Sequence, residues 1–239
     1  MTMATVLEAA PEAARSDAPA APEGDRVVLA NIRWETYERL LTDLADSSAP
    51  RLTYDGGLLE IMSPSPAHES ANRALADLIQ AATEVWGIEV YNLGSTTFRS
   101  EDRRRGFEPD TCFYIQHLAD VVGKDEIDLT TDPAPDLVVE IDHTSPSLDK
   151  LPVLAALGVP EVWRYSPRQR TLTVYVLQGG TYRQADTSVA VPLLTPSEVE
   201  RFMREFRPGR RLGWLNAIRD WAHEAQAAGS QSGQGTPAL

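Results

Sequence analysis

Glu140 and Asp142 close the run Asp136-Leu137-Val138-Val139-Glu140-Ile141-Asp142. Its aliphatic members predict a buried β-strand. Side chains alternate along a strand, so the two carboxylates share a side, roughly 7 Å apart. Acids held together at the end of a buried strand need a positive partner. A divalent metal is the obvious candidate, because hard cations take oxygen ligands. Two Pro-Asp pairs precede Glu140: Pro109-Asp110 and Pro135-Asp136. Asp136 lies on the same predicted strand as Glu140, about 13 Å away, too far for one metal to bridge. Asp110 lies on a separate predicted strand. If the two strands are neighbours, their spacing of about 5 Å brings Asp110 beside Glu140. Asp110 is therefore the candidate ligand and Asp136 a strand-start residue.

Lys150 stands close to where the next helix begins. A cation there opposes the helix dipole at a cost of about 0.3–1 kcal/mol. That hints at a second purpose, such as holding an anion or a hydroxide; the plain alternative is an exposed ion pair with Asp149. His68 and Asn72 extend the apolar stripe of a long predicted helix, and buried polar groups must find partners. Glu69 sits one position round from that face. Taken singly, His68 reads as a satisfied core histidine and Glu69 as an i,i+4 partner of Arg73; beside a metal cluster, either completes a shell. Cys112 shares a face with Asp110 and reads as small core filler. No Gly-rich phosphate loop and no nucleophile elbow is present.

The chain has 239 residues and a net charge of −13. That charge works against phosphate binding, which comes largely from Lys and Arg. The basic residues are clustered, however: Arg103, Arg104 and Arg105 are consecutive, and Arg201, Arg204, Arg207, Arg210 and Arg211 lie near the C-terminus. Such patches can steer a polyanion, although a solvated surface explains each equally. One cysteine excludes an internal disulfide and fits a reducing compartment, so the expected location is cytoplasmic. No run approaches a membrane span, and the N-terminus lacks the pattern of a secretory signal.

The elements that must position these residues can be read from periodicity and turn chemistry. Residues 1–25 and 226–239 have the composition of disordered tails, leaving one domain over 26–225. A strand at Val27–Leu29 leads to a helix at Trp34–Ala45. Arg51–Tyr54 and Leu58–Met62 flank the turn Asp55-Gly56-Gly57 and predict a hairpin. Ser65-Pro66 caps a helix running to about Trp86. Strands follow at Val90–Leu93, Thr96–Arg99, Glu108–Ile115 and 137–142. A helix spans Ser147–Gly158, starting late because Pro152 belongs in a first turn. Val159–Tyr165 is a strand, Leu172–Val176 and Thr181–Ala185 a hairpin, and Thr195–Glu198 a capping box. Two helices end the domain; the second carries Trp214, Ile218 and Trp221, a face suited to a homodimer or to the core. The pattern predicts an α/β fold with a central mixed β-sheet flanked by helices.

An acid after proline on one strand and Glu-x-acid on the next resembles the PD-(D/E)XK nuclease superfamily. More closely, Pro135–Ile141, Ser145-Pro146-Ser147, Asp149-Lys150-Leu151 and Gly158–Trp163 resemble the bacterial family of "putative restriction endonucleases". Asp55-Gly56, Met62-Ser63-Pro64 and His68 fit that family's N-terminal half. The resemblance covers about residues 27–185. It implies a restriction-endonuclease-like core, a cytoplasmic hydrolase and Mg²⁺ or Mn²⁺ held by Asp110 and Glu140. DNA is the implied partner, cut at its phosphodiester bonds. The superfamily's lysine, two residues after the Glu, is Asp142 here, and Lys150 matches the place where this family supplies it. Asp142 is then either an added metal ligand or a replacement that weakens catalysis. His68, Glu69, Arg103, Arg104 and Arg105 are candidate substrate-binding residues. The alternative function is a catalytically weak nuclease-fold module that binds nucleic acid or protein.

Overall fold

The computed structural model of the chain describes residues 25–45, 49–142 and 148–232. The tail expected before residue 25, Ser145-Pro146-Ser147 and the last residues of the C-terminal tail lie outside the described residues. The elements in chain order are β1 (Asp25–Leu29), α1 (Trp34–Asp43), β2 (Arg51–Asp55), β3 (Leu58–Ser63), α2 (Pro66–Trp86), β4 (Tyr91–Asn92), β5 (Phe98–Ser100) and β6 (Arg105–Phe107). Then come β7 (Thr111–Tyr114), α3 (Leu118–Val121), β8 (Leu137–Ile141), α4 (Leu151–Leu157), β9 (Glu161–Ser166), β10 (Thr171–Gln178), β11 (Thr181–Ala185), α5 (Pro196–Glu205) and α6 (Arg211–Ser232).

The strands form the expected mixed sheet and, beside it, a second one that was not foreseen. The mixed sheet has the order β11-β10-β9-β8-β7-β4, and β8 with β9 is its parallel pair. The other sheet, β1-β3-β2-β6-β5, is antiparallel throughout. The expected strand at Glu108–Ile115 is shorter for this reason: β6 ends at Phe107 in one sheet and β7 begins at Thr111 in the other. Glu108, Pro109 and Asp110 make the step between them, and proline suits a chain leaving a ladder because it lacks the N–H donor.

Each sheet has two differently employed faces. In the antiparallel sheet, Leu52, Tyr54 and Leu59 pack against Trp34 and Tyr37 of α1. Side-chain alternation sends Arg51, Thr53, Glu60 and Met62 to the opposite face, where all four are buried. In the mixed sheet, Phe113, Leu137, Val139, Trp163 and Tyr165 join α2, α5 and α6 in the larger core. Cys112, Tyr114, Val138 and Val162 point the other way, toward α4 and the ends of β5 and β6. By the same alternation Glu140 shares the side of Val138. α4 follows Lys150 and carries Pro152 in its first turn; it ends at Gly158, whose φ of +85° suits glycine.

α6 runs to Ser232, past the start expected for a tail at 226. Its apolar stripe is buried inside the chain. Trp221 meets Trp86 and Phe202 edge-on, and Trp214 meets Phe206. The face that suggested a homodimer is therefore part of the core. No helix among the described residues is long and apolar enough to cross a membrane.

Gly106 on β6 lies under the ring of Tyr37. A Cβ there would sit 2.2 Å from the Tyr37 hydroxyl oxygen. Gly106→Ala is expected to destabilise the fold by about 1–3 kcal/mol through overpacking. A lower urea midpoint with an unchanged slope would verify it, and an unaltered midpoint would refute the packing argument.

Candidate functional site: a buried carboxylate pair with lysine and arginine

The register of β7 with β8 pairs Thr111 with Val139 and Cys112 with Val138. Continued by one residue, it sets Asp110 opposite Glu140. Directly opposed residues of an antiparallel pair share a face. Both point toward α4 and the antiparallel sheet, and both are buried. The expected neighbouring of these two acids is what the fold provides.

Asp110 is held on every side. Its Oδ2 accepts from the Ile141 backbone N–H at 2.7 Å. Its Oδ1 accepts from Nη1 of Arg51 and stands 2.8 Å from Nε2 of His68. Nδ2 of Asn72 donates to its backbone carbonyl at 2.8 Å. Burial pushes the Asp110 carboxyl up. His68, through its hydrogen bond and its charge, together with Lys150 and Arg51, outweighs that and holds it well below the usual carboxylate range. His68 and Asn72 sit in the first turns of α2, whose N-cap Ser65 accepts from the His68 backbone N–H. The polar residues on the buried helix face thus find their partner in Asp110.

Glu140 is paired with Lys150, whose Nζ donates to Oε2 at 2.6 Å. Burial raises the Glu140 carboxyl; Lys150 opposes that, and the nearby Asp110 adds to it. Burial lowers Lys150, but Glu140, Asp110 and Glu60 outweigh it, so the ammonium stays charged. Oε1 of Glu140 is buried with no hydrogen-bond partner among the described residues. A cavity of about 30 Å³ opens beside this pair, lined by Arg26, Glu140, Asp142, Lys150 and Arg164. It has room for water and none for a nucleotide.

Arg51 escaped the sequence reading. It begins β2 and is 7% exposed. Besides Asp110, it donates through Nη2 to Glu69 Oε1, and its Nη1 stands 3.1 Å from His68 Nε2. Its Nε has no partner among the described residues. The available signal was alternation: Leu52 and Tyr54 take one side of the hairpin, so Arg51 must take the other, facing Glu60 and Met62 inward. Glu69 also keeps its expected contact with Arg73, at 3.8 Å.

The other expected site residues go elsewhere. Asp142 is tied to Arg164 at 3.1 Å and is not brought to Asp110. Among the described residues, no three His, Cys, Asp or Glu side chains gather closely enough to enclose a metal ion. Asp142 lies just past the end of β8, where it pairs with the β9 arginine and lines the small cavity beside Glu140. Arg103, Arg104 and Arg105 lie at the β5–β6 turn. Arg103 donates to the Ala156 carbonyl at 2.7 Å, and Arg105 pairs with Asp55 at 2.8 Å. Among the described residues, no hydrogen bond or ion pair joins them to Asp110 or Glu140. Asp136 is structural: its Oδ2 accepts from the N–H groups of Ile115 and His117. Of the C-terminal arginines, Arg201, Arg204 and Arg211 are paired with Glu198, Glu200 and Asp77.

The donor set suits a hard divalent cation: two buried carboxylates sharing a face, one with an oxygen still open. The competing donors on Asp110 are the chain's own. Fold and site together describe a mixed α/β domain with an acid pair at the ends of its central strands and a lysine at the start of α4. The chain belongs to the Uma2 family, described as "Putative restriction endonuclease", whose profile matches residues 34–206. Arg51, His68, Glu69, Asp110, Glu140 and Lys150 all fall within that match. Among solved structures, the chain is similar to a protein from Anabaena variabilis described as "a putative nuclease belonging to DUF820". The identity is 18%, with a TM-score of 0.45, over 64% of this chain and 90% of that one. No curated protein matches the chain.

Asp110→Asn removes the buried one of the two carboxylates that answer the Arg51 guanidinium and leaves only the partly exposed Glu69. It is expected to lower stability by about 3–5 kcal/mol, measured by urea unfolding in chelator. Adding Arg51→Met should cost far less than the two single losses combined. Simple additivity would show that the pair is not coupled.

Proposed function

We propose that the protein is a metal-dependent endonuclease that hydrolyses DNA phosphodiester bonds. The observation that carries this reading is the facing of Asp110 and Glu140 on adjacent strands with Lys150 bonded to Glu140, inside the family match. Asp110 and Glu140 would hold Mg²⁺ or Mn²⁺. Bound there, the cation would acidify the attacking water and offset charge on the phosphate.

The chain's own residues supply the rest. Glu140 Oε1, an acceptor still open, orients an attacking water through its O–H. The Lys150 ammonium stays charged and stabilises negative charge as the water loses a proton to solvent and its oxygen bonds to phosphorus, while a P–O ester bond breaks and the leaving oxygen takes a proton from solvent. His68 and Asn72 hold Asp110 in place. Asp142, paired with Arg164, takes no part in this scheme.

A second reading rests on the same site. Both Asp110 oxygens already accept hydrogen bonds, and Asp142 stands where the superfamily has its lysine. These features suit a module that binds nucleic acid and cuts slowly or not at all. Nicking of supercoiled plasmid across a metal series separates the two. The nuclease reading expects cutting in Mn²⁺ or Mg²⁺ that stops with chelator. Lys150→Met should reduce the rate at least about a hundredfold, and Asp142→Asn should keep most of it. DNA binding without cutting in any metal would favour the binding module.

A further inference from the structure

The inward face of the covering sheet carries its own pattern of charge. Register sets Arg26 of β1 and Arg51 of β2 on either side of Met62 of β3. Directly opposed residues share a face, and Glu60, two positions before Met62, shares it too. Glu60 therefore lies diagonal to both arginines. It is 1% exposed, and Nη1 of Arg26 stands 3.8 Å from its Oε1. A carboxylate buried so deeply needs cations around it. Arg51 is engaged by Asp110 and Glu69. Arg26 lines the same small cavity as Glu140 and Lys150, so this side of the sheet meets the start of α4 there. The Glu60 charge reaches Lys150 and joins Glu140 and Asp110 in raising it against burial.

Lys150 donates to Glu140, the carboxylate that would also hold the cation. An ammonium and a divalent cation on one buried carboxylate repel each other. Lys150 then needs a second negative group, one that does not itself bind the cation. Glu60 does not gather with Asp110 and Glu140 as a metal ligand would. We propose that Glu60 is the positioning residue of Lys150: from the covering sheet, it holds the ammonium at the site when a divalent cation occupies Asp110 and Glu140. Arg26, its ion-pair partner, fixes Glu60 on the sheet. The inference rests on the nuclease reading and adds a residue to it.

The chain has two lysines, Lys124 and Lys150, so isotope-labelled lysine gives two side-chain NMR signals. Lys124 is the exposed reference. In the wild type, Mg²⁺ should shift the Lys150 signal yet leave it distinct from that of an exposed lysine. In Glu60→Gln, checked for folding by circular dichroism, the signal should stay buried in chelator and move to the exposed position with Mg²⁺. Glu140→Gln removes that carboxylate's charge without any metal; its Lys150 signal should stay buried, and adding Glu60→Gln should release it. In plasmid nicking, Glu60→Gln should lower kcat about tenfold with KM unchanged. Glu60→Asp should recover most of the rate, and Glu60→Gln should cost nothing further on top of Lys150→Met. A Lys150 signal that stays buried in folded Glu60→Gln with Mg²⁺, or a loss that multiplies with Lys150→Met, overturns the inference and leaves the nuclease reading standing. No response to Mg²⁺ in any protein, together with no cutting in any metal, overturns the nuclease reading and with it the inference. Should Glu60→Gln fail to fold, Glu140→Gln decides alone: a Lys150 signal released there overturns the inference.

Discussion

Charge taken out of water must be answered by charge, and the centre of this molecule is organised by that demand. Asp110 and Glu140 are forced to one side of adjacent strands by register and are then covered by a second sheet and by α4. Left alone, two such carboxylates would take up a proton or drive the layers apart. Arg51 comes from the covering sheet and Lys150 from the start of α4, so each layer brings the cation that lets it approach. The packing of the two sheets and the chemistry of the site are one arrangement.

That arrangement also explains why similar residues have separate fates. Asp110 and Asp136 both follow proline. Asp110 enters β7 at the end where Glu140 leaves β8, so it meets the acids' partners. Asp136 enters β8 at the opposite end and ties down the turn after β7 through backbone N–H groups. Asp142 belongs by spacing with Glu140, yet the β9 arginine takes it, since Arg164 is the register partner of Glu140 across the parallel pair. Most members of the arginine clusters are engaged by ion pairs or carbonyls, several of them far off in the chain, such as Arg103 with Ala156 and Arg211 with Asp77.

The family match and the site point in the same direction without being the same statement. The family's description speaks of restriction endonucleases; the geometry shows a buried acid pair with an ammonium on one side and a guanidinium on the other. A fold of this kind can carry several functions. In this chain Asp110 is already satisfied from within, so any external cation must displace or share an existing partner.

Much of the architecture was legible in the amino-acid sequence because local physics decides it. The Gly-Gly hairpin, the Ser65 and Thr195 caps, the late start of the helix after Lys150 and the buried strand at 137–141 all rest on backbone preference or on side-chain periodicity. The candidate pair Asp110 and Glu140 followed from strand spacing, and Lys150 from a cation at the wrong end of a helix. Three things did not follow. The division into two sheets depends on which distant strands pair, and alternation alone cannot say that. From the sequence Arg51 reads only as the first residue of a hairpin, because its burial comes from a sheet packing on Asp110, 59 residues away. The ion-pair partner of Asp142 was not visible, because only the β8–β9 pairing shows that an arginine stands beside it. Periodicity tells each side chain which face it takes; only the meeting of faces from separate parts of the chain tells it what charge it finds there.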